Sequence, residues 1–269
     1  MLFRSGLLVI ATARLAGDLG ASRRGATVAA AAIALLPATW IDSSVWGQVD
    51  AVGTCLLLFA TSELIRGKSV RAATLTALAA VTKPQFGIII PIIAVVLFVR
   101  AKKSSDPWRF VVTGLAGAAT ISLVAAPFGQ TLIDVANRVL IAGGGYQYLS
   151  VGAWNPWALV SIEGVGLARN GGWASDLTAL PTLGIPGIAI GTVAMVAAIA
   201  FAARRARADQ AAITVASITF VAVSFFVLPT RVHERYLFAA IPLATALAVS
   251  NRRWLPIVAI ANLLLDRKS

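Results

Sequence analysis

Long apolar runs separated by short polar stretches dominate the sequence, and each run has the length of a helix rather than a strand. They predict ten hydrophobic segments, which are Leu2–Leu15, Gly25–Trp40, Asp50–Ile65, Ala72–Thr82, Phe86–Val99, Phe110–Pro127, Gly184–Ala203, Ala211–Leu228, Tyr236–Val249 and Trp254–Leu265. A membrane-spanning helix needs about 20 apolar residues, so the shorter segments must tilt, break or extend into their flanks. The pattern predicts an all-α, polytopic integral membrane protein with about nine to ten transmembrane helices.

Composition supports the same class. Of the 269 residues, 58% are hydrophobic and only 13% are charged, and the mean hydropathy is +0.84. A soluble domain has roughly 25% charged residues, so this composition excludes an ordinary soluble fold. We expect one transmembrane domain over residues 1–269. Because the first segment begins almost at once and the last ends abruptly in DRKS, we also expect a domain truncated at both ends.

Basic residues give the bundle an orientation. The formal net charge is +12, and Arg and Lys cluster after the odd-numbered segments, at 23–24, 66–71, 100–109, 204–207 and 252–253. Lys and Arg enriched in short loops mark the cytoplasmic side of a membrane protein, so the high charge indicates topology rather than nucleic-acid binding. This parity requires residues 128–183 to make no net crossing. We expect an extracytoplasmic or interfacial region there, whose apolar piece 151–165 is re-entrant, interfacial or half of a missed pair.

The loops expected on the extracytoplasmic side carry the residues that could bind a ligand or take part in catalysis. The motif TRVHERY groups Arg231, His233, Glu234 and Arg235 beside the mouth of a segment. Guanidinium and imidazole groups together can hold a phosphate through charge-assisted hydrogen bonds. The alternative is an interfacial belt in which arginines snorkel and tyrosine anchors at the headgroups.

A second polar site interrupts the apolar pattern at TKPQ. Lys83 lies between two apolar runs, and Pro84 predicts a tight turn or a broken helix. Lys83 is either a second cation for an anionic ligand or a snorkelling side chain. Gln85 adds a neutral donor.

The stretch WIDSSVWGQVD supplies Asp42, Trp46, Gln48 and Asp50. Carboxylate and amide groups bond sugar hydroxyls, and an aromatic face stacks on a sugar ring, so this combination favours a carbohydrate site. Helix capping is the alternative role for Asp50, because a carboxylate at the start of a helix gains from the helix dipole.

The interval after the sixth segment predicts an amphipathic surface helix from Leu132 to Leu140. Tyr146, Tyr148 and Asn155 then offer aromatic and amide surface, either to a ligand or as an interfacial belt. We see no phosphate-binding Gly-rich loop, dinucleotide fingerprint or metal-ligand spacing. We therefore expect no cofactor and no dedicated metal site, leaving a loosely held divalent ion open.

Four blocks occur in order along the chain: SSVWGQVDA, TKPQ, GGYQYLSVGAWNPWAL and TRVHERYLFAAIPL. Together they resemble the bacterial GPI-mannosyltransferase II-like group of the GT-C superfamily of membrane glycosyltransferases. More distantly, HERYL resembles the HEK-type motif of the dolichyl-phosphate-glucose glucosyltransferases. The resemblance implies a hexosyltransferase of the bacterial plasma membrane. It would transfer a hexose, with mannose as the expected sugar, from a polyprenyl-phosphate donor. The acceptor would be a glycan, glycolipid or protein on the extracytoplasmic side.

The same resemblance implies roles for residues. Lys83, Arg231, His233 and Arg235 would hold the donor phosphate, and the polyprenyl tail would lie among membrane lipids. Asp50 and Gln48 would help define the sugar or acceptor pocket. From their residue types alone, further candidates for sugar or acceptor contact are Asp42, Trp46, Gln85, Tyr146, Tyr148, Asn155 and Glu234. GT-C enzymes usually carry their catalytic carboxylate in the first outer loop, and this chain begins beyond the place of that loop. Asp50 is then the remaining candidate base.

Two other hypotheses stay open at the level of sequence. Broken helices and intramembrane charges also serve a transporter or flippase of lipid-linked sugar. A catalytically incomplete fragment would retain contacts with the donor lipid but perform no transfer.

Overall fold

The computed structural model describes residues 2–40, 47–160, 173–180 and 183–266. Its α-helices are α1 Leu2–Asp18, α2 Arg23–Leu35, α3 Pro37–Trp40, α4 Asp50–Ile65, α5 Ser69–Thr82, α6 Ile90–Lys103, α7 Trp108–Ala125, α8 Leu132–Gly143, α9 Gly187–Ala206, α10 Ala211–Val227, α11 Ala240–Ser250 and α12 Leu255–Asp266. Short 3₁₀ helices cover Pro84–Ile89, Ala126–Phe128, Pro156–Leu159, Glu234–Leu237 and Arg252–Trp254. The prediction of an all-α protein is confirmed, because the described residues contain no β-strand.

Membrane-spanning length is reached by fewer helices than the sequence predicts. Within the described part, three helical stretches are long and apolar enough to cross a bilayer: Pro84–Lys103, Trp108–Phe128 and Gly187–Ala206. Helix α5 has 14 residues, a rise of about 21 Å, whereas the hydrocarbon core is about 30 Å thick. Helices fill the predicted segments, but the count of nine to ten transmembrane helices is not confirmed.

The connections that follow α1, α4, α6 and α9 lie at one end of the bundle and are joined there by ion pairs. We call this the basic end. Arg66 follows α4 and pairs with Asp18 at the end of α1, Nε to Oδ1 at 2.9 Å. Arg100 near the end of α6 pairs with Asp209 beyond α9, Nη2 to Oδ1 at 2.7 Å. Loops that the charge pattern assigns to one side of the membrane therefore meet in the structure.

The turn predicted at TKPQ is present. Lys83 ends α5 with extended backbone, and the 3₁₀ helix that follows starts at Pro84. Proline lacks the N–H that a continuing α-helix would need and disfavours a helical residue before it. After this break, the side chains of Lys83 and Gln85 both reach Asp50 at the start of α4.

The interval over residues 128–183 contains α8, the predicted surface helix. Thr131 caps it in a reciprocal capping box with Asp134, whose carboxyl pKa is held below its usual range by the Thr131 hydrogen bonds. Ile133, Leu140 and Ile141 remain exposed, as expected for a helix lying along a membrane surface. Of the apolar piece 151–165, the described part to residue 160 is irregular or 3₁₀, and the rest lies outside the described residues.

Helix α11 is the centre of the core and packs against α1, α2, α10 and α12. Most of its residues are buried, from Ala240 to Ala248. The 3₁₀ helix that precedes it, Glu234–Leu237, contains the end of the TRVHERY motif and packs against α10.

Helix α9 closely approaches the backbone just after α10, where the chain leads into the TRVHERY motif. A Cβ added to Gly191 of α9 would lie 2.9 Å from the Leu228 carbonyl oxygen and 3.0 Å from the Pro229 Cα. Because both obstacles are backbone atoms, no side-chain rotation can relieve the overlap.

We expect Gly191→Ala to lower the free energy of unfolding by about 1–3 kcal/mol, the usual cost of overpacking. Unfolding in detergent by heat or denaturant measures the loss. Gly114→Ala is the matched control, since nothing lies within 4 Å of its added Cβ. Equal stability of the two variants would contradict the close approach.

Candidate functional site

The end opposite the basic end brings together the start of α4, the break after α5 and the segment 228–237 that joins α10 to α11. Here called the polar end, it contains most of the residues that the sequence singled out. Three features build it: a buried carboxylate with two partners, an anchored loop, and a cavity between them.

Asp50 is fully buried at the first turn of α4, at 0% exposure. Lys83 Nζ donates to both of its carboxylate oxygens at 2.8 Å, and Gln85 Nε2 donates to Oδ1 at 2.8 Å. The N-cap of α4 is Val49, and no side-chain capping bond is present. The Asp50 carboxylate therefore holds Lys83 and Gln85 in place, and the capping alternative does not describe its contacts.

The TRVHERY loop is anchored by Asp176, a buried residue that the sequence analysis missed. Arg231 donates from Nε to Asp176 Oδ2 at 2.6 Å and from Nη2 to Oδ1 at 3.1 Å. Thr230 Oγ1 also donates to Asp176 Oδ2 at 2.7 Å, and Arg231 Nη1 donates to the Gly143 carbonyl at 2.9 Å. Arg231 adopts a left-handed backbone, φ +66°, a strained conformation for a side chain of this size. These contacts use three of the five N–H groups of Arg231 and fix its guanidinium.

Removing the charge of this anchor should weaken the loop. We expect Asp176→Asn to lower the free energy of unfolding by about 2 kcal/mol, because hydrogen bonds to a charged group are worth roughly 1.5–3 kcal/mol. Asp106→Asn, whose ion pair with Arg109 is exposed, is the control and should change stability by under about 1 kcal/mol. Denaturant titration measures the free energy of unfolding of both variants. If Asp176→Asn lowers it no more than Asp106→Asn does, Asp176 does not anchor the loop.

Aromatic rings surround His233. Its ring centroid lies 5.2 Å from that of Tyr146 and 5.4 Å from that of Tyr236, and its backbone bridges to Val151 and Gly152. The Tyr236 ring stacks in turn on Phe225 at 5.6 Å. The imidazole is therefore held by rings on two sides and by the backbone of the preceding loop.

Two polar atoms near this cluster are buried with no hydrogen-bond partner in the described part of the chain: Nε of Arg235 and Oε1 of Gln85. Such atoms are rare in native proteins because each forfeits its hydration, so each calls for an explanation. The orientation of the Gln85 amide follows from Asp50, since a carboxylate accepts and only Nε2 can donate to it. Arg235 therefore has one unused donor, and Gln85 has one unused acceptor.

Both side chains line a cavity of about 510 Å³, together with Lys83, Tyr146, Arg231, His233 and Tyr236. A second, mainly apolar groove of about 580 Å³ lies between α5, α7 and α8 and shares Pro84, Val139 and Ala142 with the cavity. A cavity with cationic and aromatic residues in its walls therefore adjoins an apolar groove.

Other residues that the sequence singled out lie apart from this cavity or cannot be placed. Asp42 and Trp46 are outside the described residues. Gln48 and Glu234 are half-buried and do not line the cavity. Their predicted roles in sugar or acceptor binding stay predictions.

Tyr148 and Asn155 have structural contacts. The Tyr148 ring meets Trp173 at 5.2 Å. Asn155 Nδ2 donates to the Phe226 carbonyl at 3.1 Å, and the nearby Trp157 Nε1 donates to the Leu228 carbonyl at 2.7 Å. These two bonds fasten the long interval to the end of α10, and binding roles for Tyr148 and Asn155 stay predictions too.

No group of three or more His, Cys, Asp or Glu side chains that could hold a metal ion occurs in the described part of the chain. The charges that the cavity presents come from lysine and arginine, with Asp50 behind them. Its chemistry suits an anionic ligand.

Comparison with known proteins agrees with a transferase. Residues 1–230 match the model of Glycosyltransferase family 87, which is most of the chain. The narrower GPI-mannosyltransferase II-like group is not confirmed by this match. No curated protein matches the chain.

Proposed function

The chain belongs to glycosyltransferase family 87. On that basis we propose that it transfers a hexose, with mannose as the expected sugar, from a polyprenyl-phosphate donor to an acceptor, and that the reaction takes place in the polar-end cavity. Membership makes it a membrane glycosyltransferase. The donor, sugar and acceptor are those that the GT-C resemblance implies, and the site supports the choice of donor.

The observation that carries the donor assignment is Arg235, which lines the cavity and whose Nε is buried without a hydrogen-bond partner among the described residues. Arginine binds phosphate through planar, charge-assisted hydrogen bonds. Lys83 is fixed by Asp50 and adds a second cation, and His233 adds an imidazole that can donate when protonated. A phosphate here would satisfy the Arg235 donor that the described residues leave without a partner.

The groove supports a lipid-linked donor rather than a soluble one. It adjoins the cavity at Pro84 and Val139 and runs between α7 and the exposed apolar face of α8. A polyprenyl chain lying there would place its terminal phosphate at the cavity mouth without leaving an apolar environment.

The sugar would sit beyond the phosphate, against Gln85 and the rings of Tyr146 and Tyr236. Gln85 Oε1 is buried without a partner among the described residues, so it can accept from a sugar hydroxyl. Selection of mannose over glucose would depend on which hydroxyl reaches this oxygen.

Lys83 and Arg235 would stabilise the negative charge that develops on the phosphate as the bond to the anomeric carbon breaks. Attack by an acceptor hydroxyl in one displacement inverts that carbon, and the hydroxyl proton must pass to a base. Asp50 is the candidate base. Its Oδ2 accepts only from Lys83 and keeps a second lone pair, but Asp50 is fully buried, so deprotonation requires the acceptor hydroxyl to reach that oxygen.

Orientation follows from charge. The basic end, with its arginines and lysines, would face the cytoplasm, and the cavity would then open on the extracytoplasmic side of a bacterial plasma membrane. A glycan, glycolipid or protein on that side would be the acceptor.

The test is transfer by the full chain purified into lipid nanodiscs. Radiolabelled polyprenyl-phosphate-mannose and polyprenyl-phosphate-glucose are supplied with a membrane lipid and protein extract, beside a nucleotide-mannose as the soluble-donor comparison. We expect label in the extract from a polyprenyl-phosphate donor and none from the nucleotide sugar. Transfer from the nucleotide sugar alone, or from no donor by a folded protein, would refute the proposal.

A further inference from the structure

A second polar hollow lies at the basic end, between the start of α5 and the connection from α6 to α7. It consists of two adjoining cavities of about 500 and 420 Å³ that share Gly67, Ser69, Arg109 and Thr113. We call it the basic hollow. Helix α5 separates it from Lys83 by about 20 Å, at roughly 1.5 Å rise per residue, so it is not part of the polar-end site.

Its walls are predominantly cationic. Basic side chains lining the two cavities are Lys68, Arg71, Arg100, Lys103 and Arg109, against the acidic Asp106 and Asp209. The field inside the hollow therefore favours an anion.

Four of these cations keep donor capacity, and two of them, Lys68 and Lys103, lie 3.7 and 3.9 Å from their nearest carboxylate oxygens. Arg71 lies 3.8 Å from Glu63, beyond hydrogen-bonding distance, and its side chain is 69% exposed. Arg109 pairs with Asp106 at 3.3 Å while remaining 70% exposed. Arg100, by contrast, is engaged by Asp209 and by the Leu64 carbonyl. Arg71 and Arg109 can hold a phosphate through planar, bidentate hydrogen bonds, with Lys68 and Lys103 beside them as further cations.

The hollow opens beside an apolar surface. Trp108 and Val112 of α7 line it, and Leu115 continues the same exposed surface one turn further. Only 11% of the candidate span Trp108–Phe128 is buried against the rest of the protein. An apolar face of this length that the described chain leaves uncovered suits contact with lipid, which would put the hollow where headgroups meet acyl chains.

We propose that the basic hollow binds the headgroup phosphate of an anionic phospholipid, with its acyl chains lying along α7. Arg71 and Arg109 contact the phosphate, and Trp108 anchors at the headgroup level as tryptophan does at membrane interfaces. Basic pockets between membrane helices are suited to such headgroups. This site is independent of the transfer reaction.

Basic residues outside the hollow distinguish a site from a general surface charge. Arg207 and Arg252 are exposed and line neither cavity, and their loops belong to the basic clusters of the same end. The double substitution Arg207→Gln/Arg252→Gln therefore removes the same charge as Arg71→Gln/Arg109→Gln without altering the hollow.

The experiment measures lipid binding to the full chain by native mass spectrometry, titrating dioleoylphosphatidylglycerol or dioleoylphosphatidylcholine into the detergent-solubilised protein. We expect the wild type to bind the anionic lipid about tenfold more tightly than the zwitterionic one, given the attraction contributed by each basic residue near a headgroup. Arg71→Gln/Arg109→Gln should lose most of that preference, whereas Arg207→Gln/Arg252→Gln should keep it. Arg71→Lys/Arg109→Lys retains the charges and should retain most of the preference, which separates loss of charge from misfolding.

Equal losses in the two Gln doubles would overturn the proposal, because the preference would then come from diffuse charge. Displacement of the lipid by inorganic phosphate at the same concentration would also overturn it, since the hollow would then bind free phosphate. Neither result depends on transfer activity, so a failed transferase assay leaves this test unaffected.

Discussion

Arg235→Gln should lower kcat/KM for the polyprenyl-phosphate-hexose donor by roughly 10- to 100-fold. Glutamine is shorter than arginine, so the substitution keeps a neutral N–H donor near the Nε position but removes the charge that would meet the donor phosphate. A hydrogen bond to a charged group contributes roughly 1.5–3 kcal/mol, and each 1.4 kcal/mol is about tenfold in rate or affinity. Initial rates over a range of donor concentrations separate a rise in KM from a fall in kcat.

Arg207→Gln is the control for this prediction, because it removes the same charge at the basic end and should leave kcat/KM unchanged. Arg235 has no ion pair among the described residues, so its loss should not unfold the protein. Donor kinetics within twofold of wild type for Arg235→Gln would remove this residue from the phosphate site.

Asp50→Ala should cause the largest loss of stability, about 3–5 kcal/mol. It leaves the Lys83 ammonium, only 19% exposed, without its counter-charge, and breaking one partner of a buried pair has an effect of this size. Gln85 also loses the acceptor that orients it. We expect a lower unfolding midpoint in detergent together with loss of transfer.

The double variant Asp50→Ala/Lys83→Met separates stability from chemistry. Removing the uncompensated cation should restore most of the lost stability, because a buried ion pair is readily replaced by apolar groups. Transfer should stay undetectable, since both the candidate base and a donor cation are gone. Transfer by the stable double variant at wild-type rate would show that neither residue takes part in catalysis.

Much of the architecture is readable from sequence because it follows from hydrophobic runs and proline. The runs coincide with helices, Pro84 breaks the chain after Lys83, and the capping box at Thr131 starts α8. The basic loops that meet at one end follow the charge pattern of the sequence. These features are local, so one stretch of chain suffices to predict each of them.

The contacts between distant residues were not predictable. Asp176 lies 55 positions before Arg231, and nothing near it in sequence indicates that the two residues pair. The available signal was that the cationic TRVHERY motif needs a carboxylate from elsewhere in the chain to balance its charge. Likewise, the pairing of Asp50 with Lys83 depends on how α4 packs against α5, which periodicity does not specify.

The number of membrane spans was not confirmed for a physical reason. Hydropathy detects apolar character, whereas crossing a bilayer also requires length. Helix α11 has 11 residues and is buried by its neighbours, so its apolar character reflects packing against protein as much as contact with lipid.

The most direct test is a cryo-EM structure of the full chain in lipid nanodiscs with a non-transferable phosphonate analogue of polyprenyl-phosphate-mannose. The account predicts the phosphonate within about 3 Å of Arg235 Nε and near Lys83, with the polyprenyl chain in the groove beside Pro84 and Val139. An analogue bound elsewhere, with Arg235 and Lys83 making no contact to the phosphonate, would contradict it.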